Sequence, residues 1–218
     1  LWTMADAGLS PLVGLEMVDT TRQQALASFN EGDMPVQGEG SLREALDWDN
    51  TWGHPYGPYV PVFETARSRS IGLHALNIPK KLIRAYRDLE NYEDLSTLDE
   101  DVRAFMPPQV LLSPEEQRES LALAFAMHSH APEEAAESHE SELSPRAAAM
   151  LEQFIRVQSL WDSAMADQAV RLHREFDRPV VVLAGSGHVE YGWGVAHRIQ
   201  HFDPESRVLL VMPWRDPN

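Results

Sequence analysis

The stretch Pro179 to Gly192, PVVVLAGSGHVEYG, constrains the fold more than any other part of this chain. Val180 to Ala184 run apolar, without a break, into Gly185-Ser186-Gly187 and then His188. A short β-branched run ended by small residues reads as a strand buried on both faces that feeds a tight turn. Such strands belong to parallel sheets covered by helices, where ligands gather at the carboxyl ends of the strands. His188 is thereby expected at that rim, with two glycines letting the backbone come close.

Two further runs repeat the pattern. Leu12-Val13-Gly14-Leu15 ends in Glu16, and Ile71-Gly72-Leu73-His74-Ala75-Leu76 ends in Asn77 just before Pro79. If the three strands are parallel neighbours, Glu16, Asn77 and His188 share one edge of one sheet. The competing reading makes each polar residue a cap for the helix that follows it.

The 218 residues suit one domain, or one domain with a sizeable insertion. Eighteen basic against 34 acidic residues leave a net charge of −16. So acidic a surface repels phosphate backbones and anionic headgroups, which argues against nucleic acid and membrane-surface partners. The absence of cysteine excludes disulfides, thiolate metal sites and cysteine nucleophiles. No apolar stretch approaches the roughly 20 residues of a membrane helix, so no transmembrane segment is expected. No signal peptide is visible, and Leu1 to Ala7 reads as part of a helix, as though the chain begins inside a domain.

The expected fold class is α/β: a mostly parallel sheet flanked by helices, with a helical insertion or cap subdomain. Residues 1–78 and 179–218 form the α/β core, and residues 79–178 the insertion. Helices are expected to Asn30 with Gly32 as stop, over Leu42–Trp48 behind Ser41, and over Val60–Arg67. Ser113-Pro114-Glu115-Glu116 opens a helix to about Met127, and Ser144-Pro145 opens a long one to about Phe176. Ala131 to Glu142 reads as an acidic loop. A last helix from about Tyr191 to Ile199 and a strand Val208–Met212 close the sheet.

Gly185-Ser186-Gly187 does not fit the G-x-S-x-G elbow of serine hydrolases, because Ala184 and His188 hold its outer positions. Glu16 and His188 are an imidazole and carboxylate pair suited to Zn or Mn, although a catalytic zinc site needs three protein ligands. Under that reading they are also the catalytic pair, activating a metal-bound water. Trp48, Trp52, His54, Tyr56 and Tyr59 crowd into 12 residues. That density suits a flat apolar ligand or a partner surface, and equally suits packing of the loop onto the sheet. Met127-His128-Ser129-His130 and His139 form a loose His tract that reads as a solvated loop.

Several of these segments, in order, resemble the ChaN-like haem-binding uptake family of the Tiki/TraB-like superfamily. They are Gly14-Leu15-Glu16-Met17 with Gln23, the Trp48/Tyr59-Val60-Pro61 block, and Ala75-Leu76-Asn77-Ile78-Pro79. Gln158-Ser159-Leu160-Trp161-Asp162 with Met165-Ala166, and Gly185-Ser186-Gly187-His188 with Gly194-Val195, complete the set. The resemblance implies a bacterial cell-envelope protein, often an outer-membrane lipoprotein, that binds haem for iron acquisition, between two subunits of a homodimer. It implies a tyrosine iron ligand, matched here to Tyr59 with Tyr56 second. Trp52, Asn77, Lys80 and His188 would line the haem, with Lys80 or Arg84 toward its propionates. Metal-dependent hydrolases of the same superfamily use crest glutamates and a G-x-x-H histidine, which map to Glu16 and His188. The family's opening strand, ending Gly-Glu-x-His, has no match in this sequence.

Overall fold

A computed structural model of the chain describes residues 1–128 and 144–212. Its centre is a three-stranded parallel sheet in the order β2-β1-β3, built from β1 (Leu12–Asp19), β2 (Leu73–Asn77) and β3 (Val180–Leu183). Leu12 to Leu15 stand opposite Val180 to Leu183, and Val13 to Leu15 opposite Leu73 to Ala75. All three strands run the same way, so their carboxyl ends share one rim.

The first half of the chain holds α1 (Trp2–Asp6), α2 (Gln23–Glu31), α3 (Leu42–Ala45), α4 (Trp48–Thr51) and α5 (Val60–Ser68). After β2 come α6 (Ile83–Arg87), α7 (Glu100–Arg103), α8 (Glu115–His128) and the long α9 (Pro145–Phe176). Beyond β3 lie α10 (Ser186–Val189) and α11 (Val195–Phe202).

The period of two along a strand decides which face each side chain serves. Val13, Leu15, Leu73 and Ala75 join one buried cluster with Leu26 and Phe29 of α2 and with Trp48, Tyr56 and Phe63. Leu12 and Leu76 turn to the opposite face, where they meet Met165, Ala166 and Leu172 of α9 and Val195 of α11. Glu16 has the parity of Leu12 and Gly14, so it too is directed at α9. A third cluster joins Leu160 and Ala164 of α9 to Ile78, Tyr86 and Leu95. Helix α9 therefore serves both the sheet and the helical region between β2 and β3. Its start is fixed by Pro145 and by Ser144 Oγ, which accepts the Ala147 N–H at 3.2 Å.

Three local expectations are corrected. Leu42–Trp48 is not one helix, because Asp47 adopts a left-handed φ of 49° and splits it into α3 and α4. The last helix starts at Val195, because Tyr191 and Gly192 take positive φ of 56° and 76°. Val208–Met212 is not a strand: the run lies outside the sheet, with Leu209 and Val211 86% and 76% exposed. Its apolar composition is real, but β3 pairs only with β1 among the described residues. Propensity without a paired edge does not make a strand.

Gly14 sits where a Cβ would meet Leu76 Cδ1 at 2.5 Å and its Cγ at 2.8 Å, so the whole Leu76 side chain would have to move. Gly14→Ala is expected to cost about 1–3 kcal/mol by overpacking. Leu76→Ala is expected to cost about 2–5 kcal/mol by cavity formation. The double variant should lose clearly less than the sum, because the truncation makes room for the added methyl. Urea unfolding of the four proteins measures the cycle; strict additivity would contradict this packing.

Candidate functional site

The rim of the sheet brings Glu16 and His188 together. β3 ends at Leu183, and the chain turns through Gly185 into α10, placing His188 7% exposed over the end of β1. His188 Nε2 lies 3.4 Å from Glu16 Oε1, while Glu16 Oε2 accepts the Gly185 N–H. Gly194 must be glycine here, since a Cβ on it would fall 2.3 Å from the His188 carbonyl oxygen. Asn77 takes a supporting place: its Nδ2 donates to the Glu16 carbonyl at 3.0 Å, and its Oδ1 accepts the Ile78 N–H at 2.9 Å. It ties β2 to β1 and starts the next segment.

The partner that sequence reasoning missed is Asp162 on α9. Its Oδ1 is 2.6 Å from His188 Nδ1, and its Oδ2 accepts Gln117 Nε2 at 2.8 Å. Arg198 of α11 stands 3.5 Å from the same carboxylate and donates to Gln117 Oε1 at 2.8 Å and Leu111 O at 3.0 Å. Asp162 and Arg198 are both fully buried. The signal was present: Ser159, Asp162 and Ser163 recur at i, i+3, i+4 inside a helix whose surrounding positions are apolar. That spacing makes a polar stripe, and the structure buries it. Ser159 Oγ accepts the Ser113 N–H at 2.9 Å and Ser163 Oγ the Leu111 N–H at 3.0 Å. Ser113, expected as a helix cap, is thereby drawn onto the stripe, its hydroxyl 2.9 Å from that of Ser159.

The electrostatics follow from the geometry. Burial by itself favours neutral imidazole, but carboxylates on both ring nitrogens outweigh it, and the His188 pKa is pushed up to about 10. Burial likewise raises Glu16, yet His188, the Gly185 N–H and the more distant His54 together hold its carboxyl below the usual range. His188 is thus an imidazolium clamped between two carboxylates, with both nitrogens protonated. Among the described residues, no group of three or more His, Asp or Glu side chains is arranged to hold a metal ion. The Zn or Mn reading of Glu16 and His188 is therefore unsupported. His130 and His139, and the acidic loop around them, lie outside the described residues.

The aromatic block divides in two. Trp48 and Tyr56 are core, 1% and 3% exposed, their rings edge to face at 5.0 Å. Trp48 Nε1 donates to His54 O, and the Tyr56 hydroxyl to Val36 O at 2.9 Å; burial raises the Tyr56 pKa. Trp52 and Tyr59 are half-buried, and Trp52 Nε1 donates to the Tyr59 hydroxyl at 3.0 Å. The exposed His54 ring is 5.3 Å from Trp52. Lys80 Nζ is anchored on Thr51 O at 2.6 Å and lies 5.9 Å from the Trp52 ring centroid. Trp52 thus gathers Tyr59, His54 and Lys80, and His54 acts through space on Glu16. Arg84 stays exposed beside Asp88.

The raised His188 pKa has a signed consequence. The stabilisation from protonated His188 is fully present below its ordinary pKa of 6.5 and is lost as pH rises through about 10. The difference in unfolding free energy between wild type and His188→Gln should therefore shrink steadily over that interval. Asp162→Asn should move the decline to lower pH. Urea unfolding at stepped pH tests both; a flat difference across the interval would contradict the clamp.

Comparison with known proteins agrees with this architecture. A solved structure described as cofacial heme binding to ChaN of Campylobacter jejuni matches with a TM-score of 0.61 at 20% identity, over 92% of this chain. The match covers 66% of that chain, and at such identity it establishes the fold. No curated protein matches this chain. The family model described as haem-binding uptake, Tiki superfamily, ChaN matches residues 2–199, taking in the strands, the rim and the aromatic block. The chain belongs to that ChaN family of the Tiki superfamily.

Proposed function

We propose that this protein binds haem on the edge formed by Trp52, His54 and Tyr59, with the Tyr59 phenol oxygen as iron ligand. The observation that carries the reading is the hydrogen bond from Trp52 Nε1 to the Tyr59 hydroxyl at 3.0 Å. It aims the phenol oxygen, stabilises negative charge on it, and leaves a second lone pair for iron. Tyr56, matched second by resemblance, has its hydroxyl spent on Val36 O within the core.

The residues present fit the group. Trp52 and Tyr59 offer aromatic surface that is neither sealed in the core nor fully solvated. Lys80 supplies a cation beside Trp52, which a dianionic ligand needs on a chain of net charge −16. Bound ferric haem supplies a Lewis-acidic iron that accepts an anionic oxygen ligand. The Glu16–His188–Asp162 set holds the rim of the sheet. The family and the relative's described haem support extending the reading to bacterial haem uptake, with haem held between two copies at the cell envelope. Among the described residues no helix is long and apolar enough to cross a membrane.

Haem titrated into the protein should give a shifted Soret band with tyrosinate charge-transfer absorption. Tyr59→Phe should abolish that absorption. Trp52→Phe should weaken binding about 10-fold, the cost of one hydrogen bond to a charged acceptor. Tyr56→Phe should leave the spectrum unchanged. A wild-type spectrum identical to free haem, or an intact tyrosinate band in Tyr59→Phe, would overturn the assignment.

A further inference from the structure

A cleft of about 490 Å³ opens in the helical region between β2 and β3, and it shares no residue with the rim or with the Trp52–Tyr59 edge. That volume falls in the range of small-molecule sites. Its walls come from residues 93–96, from the end of α7 with the chain that follows it, and from one side chain of α9. Leu95 and Met106, both buried, supply apolar lining.

Two guanidinium groups reach this cleft from different elements, Arg103 from α7 and Arg171 from α9. Neither is used up. Among the described residues Arg103 makes one polar contact, a long 3.4 Å bond from Nη1 to Ser96 O, and no ion pair. Arg171 gives its Nε to Asp167 Oδ2 at 2.8 Å, which steadies the side chain and leaves its terminal nitrogens as donors. On a chain with 34 acidic against 18 basic residues, arginines are readily paired, so open guanidinium donors facing one cleft set it apart. Two carboxylates line the same cleft. Among the described residues the Glu93 carboxylate has no hydrogen bond or ion pair. Asp94 spends Oδ1 on the Ser96 N–H at 3.0 Å and on the Ser96 hydroxyl at 2.5 Å, which holds its carboxyl below the usual range and leaves Oδ2 open.

The balance of charge selects the ligand. A simple anion would meet Glu93 and Asp94 as well as the arginines, and a simple cation would meet the arginines as well as the carboxylates. A molecule that carries both signs finds a partner for each, with guanidinium forks for its carboxylate and acidic side chains for its ammonium group. The apolar lining favours a hydrocarbon body between or beside them.

We propose that this cleft binds a small zwitterion with an apolar body, an amino acid or short peptide whose carboxylate and ammonium groups are both free. Arg103 and Arg171 hold the carboxylate, Glu93 and Asp94 the ammonium group, and Leu95 and Met106 the side chain. The site is separate from that of haem, so neither ligand displaces the other.

Calorimetric titration of the haem-free chain with leucine and with trileucine tests the proposal and tells the two sources apart. At least one should bind with a dissociation constant below about 1 mM, and the tighter of the two identifies free amino acid or peptide. Capping that probe as its amide, or as its N-acetyl form, should weaken binding at least about 10-fold. Arg103→Gln and Glu93→Gln, both at exposed positions, should each do the same. Arg103→Gln should keep the wild-type thermal melt and the wild-type Soret shift with haem. No heat from either probe, equal binding of the capped forms, wild-type affinity in Arg103→Gln, or displacement of the probe by haem would each overturn it. A wild type that binds the probe but gives no Soret shift would remove the haem reading and leave this one standing.

Discussion

Four ionisable side chains, Glu16, His188, Asp162 and Arg198, lie side by side in the interior, none more than 8% exposed. Buried charge is tolerated only when every member is paired and hydrogen-bonded. Two carboxylates, an imidazolium and a guanidinium sum to zero, and each comes from a different element: β1, α9, α10 and α11. Satisfying this set therefore fixes how the sheet, the long helix and the last helix sit on one another. Gln117 on α8 extends the same network by bonding to both Asp162 and Arg198. Asp162 contacts both His188 and Arg198, so its removal takes a buried partner from each of them at once.

Much of this was legible in the sequence, for a physical reason. Apolar runs that end in a polar residue or a glycine turn mark parallel strands, so Glu16 and His188 could be placed on one rim, although β1 runs past Glu16 to Asp19, His188 sits in α10, and β3 is half-buried and not covered on both faces. The parallel register then brings Glu16 and His188 to 3.4 Å. Asp162 escaped because hydrophobic periodicity reports only which helix face is buried. It does not report that a buried face carries charge, as the i, i+3, i+4 polar stripe of α9 does. Nor could sequence divide the aromatic block. Trp48 and Trp52 are one turn apart, but only packing shows that the first fills the core and the second stays at the edge.

Val208–Met212 teaches the converse. Composition alone marked it as a strand, and the backbone does not pair it. β-propensity measures how well side chains fit a pleated, half-buried surface, so it is realised only when an edge is offered. Together the two cases separate what a local pattern can decide, which is the type of segment, from what needs the rest of the molecule, which is its partner.

The account rests on His188 being a doubly protonated imidazolium held by Asp162 and Glu16. Nitrogen-15 NMR of the histidine rings at pH 8 reads this directly. Both His188 nitrogens should carry protons, with the Nδ1 proton strongly deshielded by the 2.6 Å contact to Asp162. A neutral His188 ring at that pH, titrating near the ordinary value of 6.5, would contradict it.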